Sequence, residues 1–262
     1  VKLIRALRIN DADTVAFVGG GGKTTAMFRL AAELVAAGRM VITTTTTRIF
    51  AAQIKLAPAH LFVQDANRAL VAARLDEFNH LLIVGEANHE SGKAEGVPPA
   101  FVTALRQWFP HTPILNEADG SRMRPFKAPA EHEPVIPPET TLVVPVVGAD
   151  VFGQPLDAAH VHRAELVAAL TGAPLGASMT PEIVARTLAH PQGGMKGVPD
   201  GARVIVLINK VDALPDWMPV RETASLLLKD SRIEAVLCAA VRGEDPVREV
   251  NPHSINHTPA IQ

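Results

Sequence analysis

Two apolar rhythms alternate along this chain. Residues 14–18 form a short apolar run that ends in four glycines. The next segment places Met27, Leu30, Ala31, Leu34 and Val35 at helical spacing, with Gly38 as a stop. Residues 40–42 open a second extended run, continued by five threonines at 43–47 whose branching at Cβ favours strand. Further strands are expected at 61–63, 81–84, 113–115, 142–147, 204–208 and 235–238, with helical patterns around 66–76, 98–109, 160–171, 181–189 and 219–229. Strands that alternate with helices imply a three-layer α/β/α architecture around a mainly parallel sheet.

Two stretches interrupt the rhythm. Residues 120–140 carry five prolines and read as an ordered insertion loop, and residues 190–202 read as a Gly- and Pro-rich connector. The expected organisation is a single domain over residues 1–250, followed by a polar, frayed tail over 251–262.

Composition narrows the partners. The chain has 262 residues, 47% of them hydrophobic, and no tyrosine, so its core must be built from aliphatic side chains. A formal net charge of −2 supplies no cationic excess for a nucleic-acid backbone. One cysteine, Cys238, rules out an internal disulfide framework or a cysteine-rich metal cage. The sequence shows no membrane-length apolar run and no signal peptide, so a cytoplasmic location without membrane partners is expected.

The chemistry is concentrated where strand meets helix. Gly19, Gly20, Gly21 and Gly22 followed by Lys23, Thr24 and Thr25 match a phosphate-binding loop. Glycines let the backbone curl so that amides face phosphate oxygens, and the helix that begins near Lys23 adds the positive end of its dipole. Lys23 is expected to reach the β- and γ-phosphates of a nucleoside triphosphate, and Thr24 to ligate Mg²⁺. The full consensus wants glycine at position 17, where this chain has Phe17.

Asn209-Lys210-Val211-Asp212 follows the apolar run at 204–208. At that position an Asp carboxylate can accept hydrogen bonds from guanine N1–H and its exocyclic amine. Asn209 would brace the loop, and the Lys210 stem would cover the ring. Ala239, after the last expected strand, belongs to a small-residue loop that can meet the guanine carbonyl. GTP is therefore the expected nucleotide, with ATP and CTP left open.

Glu117 and Gly120, three residues apart at the end of another strand, have the spacing of an acid that holds Mg²⁺ or its water and a glycine amide that senses the γ-phosphate. Asp119 is an alternative metal partner. Lys23, Glu117, Asp119 and Arg122 are the catalytic candidates, Arg122 because a guanidinium can stabilise phosphoryl-transfer charge. Arg124 and Lys127 could bind an acceptor. Glu131-His132-Glu133 reads as a stiffened loop whose charges pair, in preference to a transient metal site.

Taken together, the glycine-lysine-threonine loop, the threonines at 43–47, Glu-Ala-Asp-Gly-Ser-Arg at 117–122, the Lys-Ala-Pro-Ala-Glu-His-Glu-Pro-Val-Ile-Pro block at 127–137 and Val-His-Arg at 161–163 resemble the YqeC-like family. The resemblance implies an accessory role in the maturation of selenium-dependent molybdenum hydroxylases, with a client enzyme or its cofactor as partner. A more distant resemblance to urease and hydrogenase maturation GTPases implies a GTP-driven switch. The signature lysine that some relatives carry early in the loop falls at Val18. Two rivals stay open: a transferase acting on a small-molecule acceptor, and an adaptor that binds nucleotide without turnover.

Overall fold

The computed structural model describes residues 1–88, 90 and 92–253. Nine strands form the main sheet: β1 (Thr14–Gly19), β2 (Val41–Thr45), β3 (Ala59–Phe62), β4 (His80–Val84), β5 (Ile114–Glu117), β6 (Leu142–Gly148), β7 (Arg203–Asn209), β8 (Ala235–Ala239) and β9 (Val247–Pro252). Their spatial order is β9-β8-β7-β6-β1-β5-β2-β4-β3, parallel throughout except for the antiparallel β8–β9 pair. The central strands β1, β5 and β6 bury nearly every residue, as a sheet covered on both faces requires.

Among the described residues, seven helices cover those faces: α1 (Leu3–Ala6), α2 (Lys23–Ala36), α3 (Arg68–Phe78), α4 (Pro99–Trp108), α5 (Ala164–Thr171), α6 (Pro181–Ala189) and α7 (Met218–Leu227). Strand alternation sorts the core. Ile205, Leu207 and Leu237 pack with α1 and α2 on one face, while Val204, Val206 and Val236 pack with α5, α6 and α7 on the other. Val71 and Leu75 of α3 and Val102 and Leu105 of α4 pack on Ile42, Leu81 and Ile114, which share the second face by register. The expected α/β/α layering and parallel sheet are present.

Differences are confined to short elements. The threonine run does not extend to position 47, because Thr46 and Thr47 turn away after β2. The pattern at 160–171 becomes a two-residue strand, Val161–His162, and then α5. That strand pairs in parallel with Phe126–Lys127, so the proline-rich loop is tied into the structure. At the start of the expected tail, Asn251 and Pro252 pair with Val236 and Ala235. Residues 254–262 of that tail lie outside the described residues. The edge strand β9 escapes a search for apolar runs because Arg248, Glu249 and Asn251 interrupt its few apolar residues, of which Val250 is exposed. A three-stranded ribbon of Ile49–Phe50, Lys93–Ala94 and Ala87–Asn88 stands beside the main sheet.

Candidate functional site

The C-terminal ends of β1, β2, β5, β7 and β8 open on one cleft of about 1000 Å³, where ligands bind in open parallel α/β sheets. The glycines after β1 pack against neighbouring backbone. At Gly21, φ is +75° and an added Cβ would lie 2.0 Å from the Gly148 amide nitrogen, so no side chain fits. The expectation that all four glycine amides face a ligand is corrected here. Gly19 N–H donates to the Asp119 carboxylate at 3.0 Å, Gly20 N–H to the Val146 carbonyl at 2.9 Å and Gly21 N–H to the Arg124 carbonyl at 3.1 Å. Among the described residues, the open donors are the amides of Gly22, Lys23, Thr24 and Thr25, at the N-terminus of α2. Four unpaired amides and a helix dipole make a nest for an anion.

Lys23 is buried beneath that nest. Its Nζ donates to the Gly19 carbonyl at 2.6 Å and lies 3.3 Å from Asp119 and 3.6 Å from Glu117. Burial opposes the ammonium charge, but Asp119 and Glu117 outweigh it and hold the pKa above the ordinary lysine value. Burial pushes the Glu117 carboxyl above its usual range, against the pull of Lys23 and of the Thr24 hydroxyl. That hydroxyl donates to Glu117 Oε2 at 2.6 Å. Two hard oxygen donors therefore meet beside the open amides, which suits Mg²⁺.

Asp119 does not belong to the same surface. It is 2% exposed, absent from the cleft wall, and saturated by Gly19 N–H, Lys23 and Lys127. Its oxygens face the interior, and of the two acids at the end of β5 Glu117 is the one that lines the cleft. Lys127, read from sequence as an acceptor contact, is also buried. Its Nζ donates to the Gly120 carbonyl at 2.7 Å and to Glu133 at 2.5 Å, and Arg163 reaches Glu133 at 2.7 Å. The outcome is a chain of alternating charges, Lys23–Asp119–Lys127–Glu133–Arg163. Burial alone would raise the Glu133 pKa, but Lys127 and Arg163 bring it down to about 2. The pairing expected for the 131–133 charges thus takes a definite form at Glu133.

Asn209 ties three turns together at the other end of the cleft. Its Nδ2 donates to the Gly21 carbonyl at 2.9 Å, and its Oδ1 accepts the Val241 amide at 3.1 Å. Lys210 takes a left-handed φ of +61° and pairs with Asp150 at 2.7 Å, a partner that nothing in the local motif announced. Asp212 is exposed on the cleft wall, and its carboxylate has no partner among the described residues. Ala239 ends β8 with its side chain buried on the α1–α2 face, and the next residues of that loop, Ala240 and Val241, line the cleft.

Gly120 and Arg122 line the cleft, and the Gly120 amide has no acceptor among the described residues. Sequence reasoning missed Phe50 and Gln53, which the ribbon and the turn after it bring to the same wall; Gln53 Oε1 accepts the Phe50 amide at 2.9 Å. Neither carries a local motif. The threonine run was visible, and its use is now clear. Thr46 Oγ1 donates to the Val135 carbonyl at 2.6 Å and accepts from Asn116 Nδ2 at 3.0 Å, so the run clamps the proline-rich loop to β5.

Two comparisons with known proteins agree on one family. The family model described as YqeC protein matches residues 15–165. The uncharacterized protein YqeC of Escherichia coli (strain K12) is 36% identical over 199 residues, which is 75% of each chain. A crystal structure of FlhF complexed with GTP/Mg²⁺ aligns with 93% of this chain and 70% of its own at 15% identity, with a TM-score of 0.39.

Proposed function

The chain belongs to the YqeC family, and from that premise we propose that it is a nucleotide-gated accessory factor that binds GTP with Mg²⁺ in the cleft described above. The observation that carries this reading is the nest of four open amides above the buried ammonium of Lys23. An anion of high charge is the ligand such a site would hold most tightly. The amides of Gly22, Lys23, Thr24 and Thr25 would take phosphate oxygens. Lys23 would exchange part of its contact with Gly19 for the terminal phosphates. Thr24 and Glu117 would hold Mg²⁺, which would supply charge neutralisation between phosphates.

Guanine is the base this reading assigns, because the unpartnered Asp212 carboxylate offers two acceptors at the cleft wall while Asn209 braces the turn. Arg122 and the open Gly120 amide would face the γ-phosphate end. A ligand there would act on Lys23 and Glu117, and Lys23 begins the ion chain that ends at Arg163, so nucleotide state would be read by the proline-rich loop. The family resemblance supports a client among selenium-dependent molybdenum hydroxylases or their cofactor, with turnover slow until that client docks.

The test is a panel of GTP, ATP and CTP titrated by calorimetry with Mg²⁺ on the wild type, Lys23→Ala and Asp212→Ala. GTP should bind most tightly, Lys23→Ala should weaken every nucleotide, and Asp212→Ala should weaken GTP alone. Tighter ATP or CTP binding in the wild type would overturn the guanine assignment. Unchanged affinity in Lys23→Ala would overturn the site.

A further inference from the structure

The cleft is large for a single ligand. Its volume of about 1000 Å³ stands at the upper end of single-ligand pockets, roughly 300–1000 Å³. Sheet order divides it about the phosphate loop. The turns after β7 and β8, with Asn209 and Asp212, lie to one side of β1; the turns after β5 and β2, with Gly120, Arg122 and Thr47, lie to the other. The second side continues to the ribbon that carries Phe50 and Lys93.

That second side carries an unbalanced positive charge. Five cations (Arg48, Lys93, Arg122, Arg124 and Arg163) and three carboxylates (Glu95, Glu117 and Glu133) line it. Arg48 pairs with Glu95, Arg163 with Glu133, and Glu117 faces Lys23 of the phosphate loop, which accounts for all three acids. Lys93, Arg122 and Arg124 have no acidic partner among the described residues. Phe50 is 46% exposed, and the Lys93 ammonium stands 5.9 Å from its ring centroid. The loop that carries Arg122 and Arg124 is held in an uncommon form, with consecutive left-handed residues at Arg122 (φ +50°) and Met123 (φ +62°). Two such residues in succession are strained, and strain of this kind gathers at ligand sites. The same loop is bound to the phosphate loop and to the end of β6, because Gly21 N–H donates to the Arg124 carbonyl at 3.1 Å and Gly148 N–H to the Pro125 carbonyl at 2.8 Å.

We propose that this second arm binds a separate small molecule that carries both a flat ring and a phosphate or similar oxyanion, alongside the terminal phosphate of the nucleotide. Phe50 supplies the stacking face, and Lys93, Arg122 and Arg124 supply the anion contacts. The local field agrees. His162, on the same wall, is pushed down to about 4 by burial and then by Arg163, Lys127 and Arg122. The cleft thus holds a donor and a potential acceptor in one volume, the arrangement a nucleotide-dependent step on a second ligand needs. This inference rests on the nucleotide reading for the occupant of the first arm.

Phenyl phosphate and inorganic phosphate are the probes. Each is titrated at pH 7.5 by calorimetry into full-length protein saturated with Mg²⁺ and a non-hydrolysable GTP analogue. Phenyl phosphate should still bind with the nucleotide in place. Combining Lys93→Ala with Arg124→Ala should weaken both probes roughly tenfold, the scale of one lost charged hydrogen bond. Phe50→Ala should weaken phenyl phosphate and leave inorganic phosphate as it was. Loss of phenyl phosphate binding once the analogue saturates, or wild-type affinity in both variants, would overturn the proposal. If the analogue itself fails to bind, the nucleotide reading fails separately. The same variants titrated without nucleotide then decide the second arm on their own.

Discussion

The Thr24 hydroxyl donates to Glu117 Oε2 at 2.6 Å, joining the first turn of α2 to the end of β5 across 93 residues of chain. The contact places the two proposed Mg²⁺ ligands side by side at the mouth of the amide nest. Either side chain without the other is a poor site for a hard cation, so the pair defines the metal position.

Thr24→Ala and Glu117→Gln should therefore remove the same component of binding. Each is expected to lower GTP affinity in Mg²⁺ by about tenfold or more, the worth of one good charged contact, and to change little in EDTA. Because burial raises the Glu117 pKa, the Mg²⁺ contribution should begin to fade above the ordinary carboxylate range as pH falls. Calorimetry at several pH values checks both statements. A full Mg²⁺ effect in Glu117→Gln would place the metal elsewhere.

Asp212→Asn should change the base preference in a predictable direction. The carboxylate accepts from the guanine N1–H and exocyclic amine, whereas an amide can donate to a carbonyl at the same place. GTP affinity should fall and xanthosine triphosphate affinity rise. Parallel loss of both ligands would mean that Asp212 does not touch the base.

Lys127→Met should be strongly destabilising without entering the cleft. It leaves Asp119 and Glu133 short of a buried counter-charge, and breaking such a pair costs about 3–5 kcal/mol. Lys23 and Arg163 still contact the two acids, so the lower end is expected. Denaturant unfolding would measure it, with Glu131→Ala, an exposed neighbour, as a control near zero. An effect below about 1 kcal/mol would show that the ion chain is not a structural element.

Acid should destabilise the fold before most carboxylates titrate. Burial brings His80 down to about 4 from an ordinary 6.5. Between those values the unfolded chain takes up a proton that the folded chain refuses, so stability is full above pH 6.5 and lost as pH falls toward 4. The loss for His80 is on the order of 3 kcal/mol over that window. His162 acts in the same direction. Denaturation at pH 7.5 and pH 4.5 should show the decline, and it should be shallower in His80→Gln. An equal decline in the variant would assign the effect to other groups.

How much of this was legible beforehand depended on whether the chemistry was local. The α/β/α layering, most strands and the helix at 181–189 were readable because apolar spacing reports burial directly. The glycine-rich turn and the Asn-Lys-x-Asp turn were readable as motifs because each sits within one short segment whose residue types are chemically constrained. The edge strand β9 was not, since half its positions face solvent. Ala239 and Ala240 could not be told apart, because a shift of one residue at a strand end exchanges core for cleft.

The sequence alone determined that a glycine-rich turn leads from a buried strand into a helix with Lys23 and Thr24 at its start. It also determined that acids end a neighbouring strand. Only the tertiary structure decided that Glu117 faces the cleft while Asp119 turns inward, and that Lys127 is buried between Asp119 and Glu133. It alone put Phe50 and Lys93 on the same wall as Arg122. The physical reason is that local spacing fixes backbone form and burial rhythm. Which charges meet is set by the order of strands in the sheet and by loops that cross from one strand end to another.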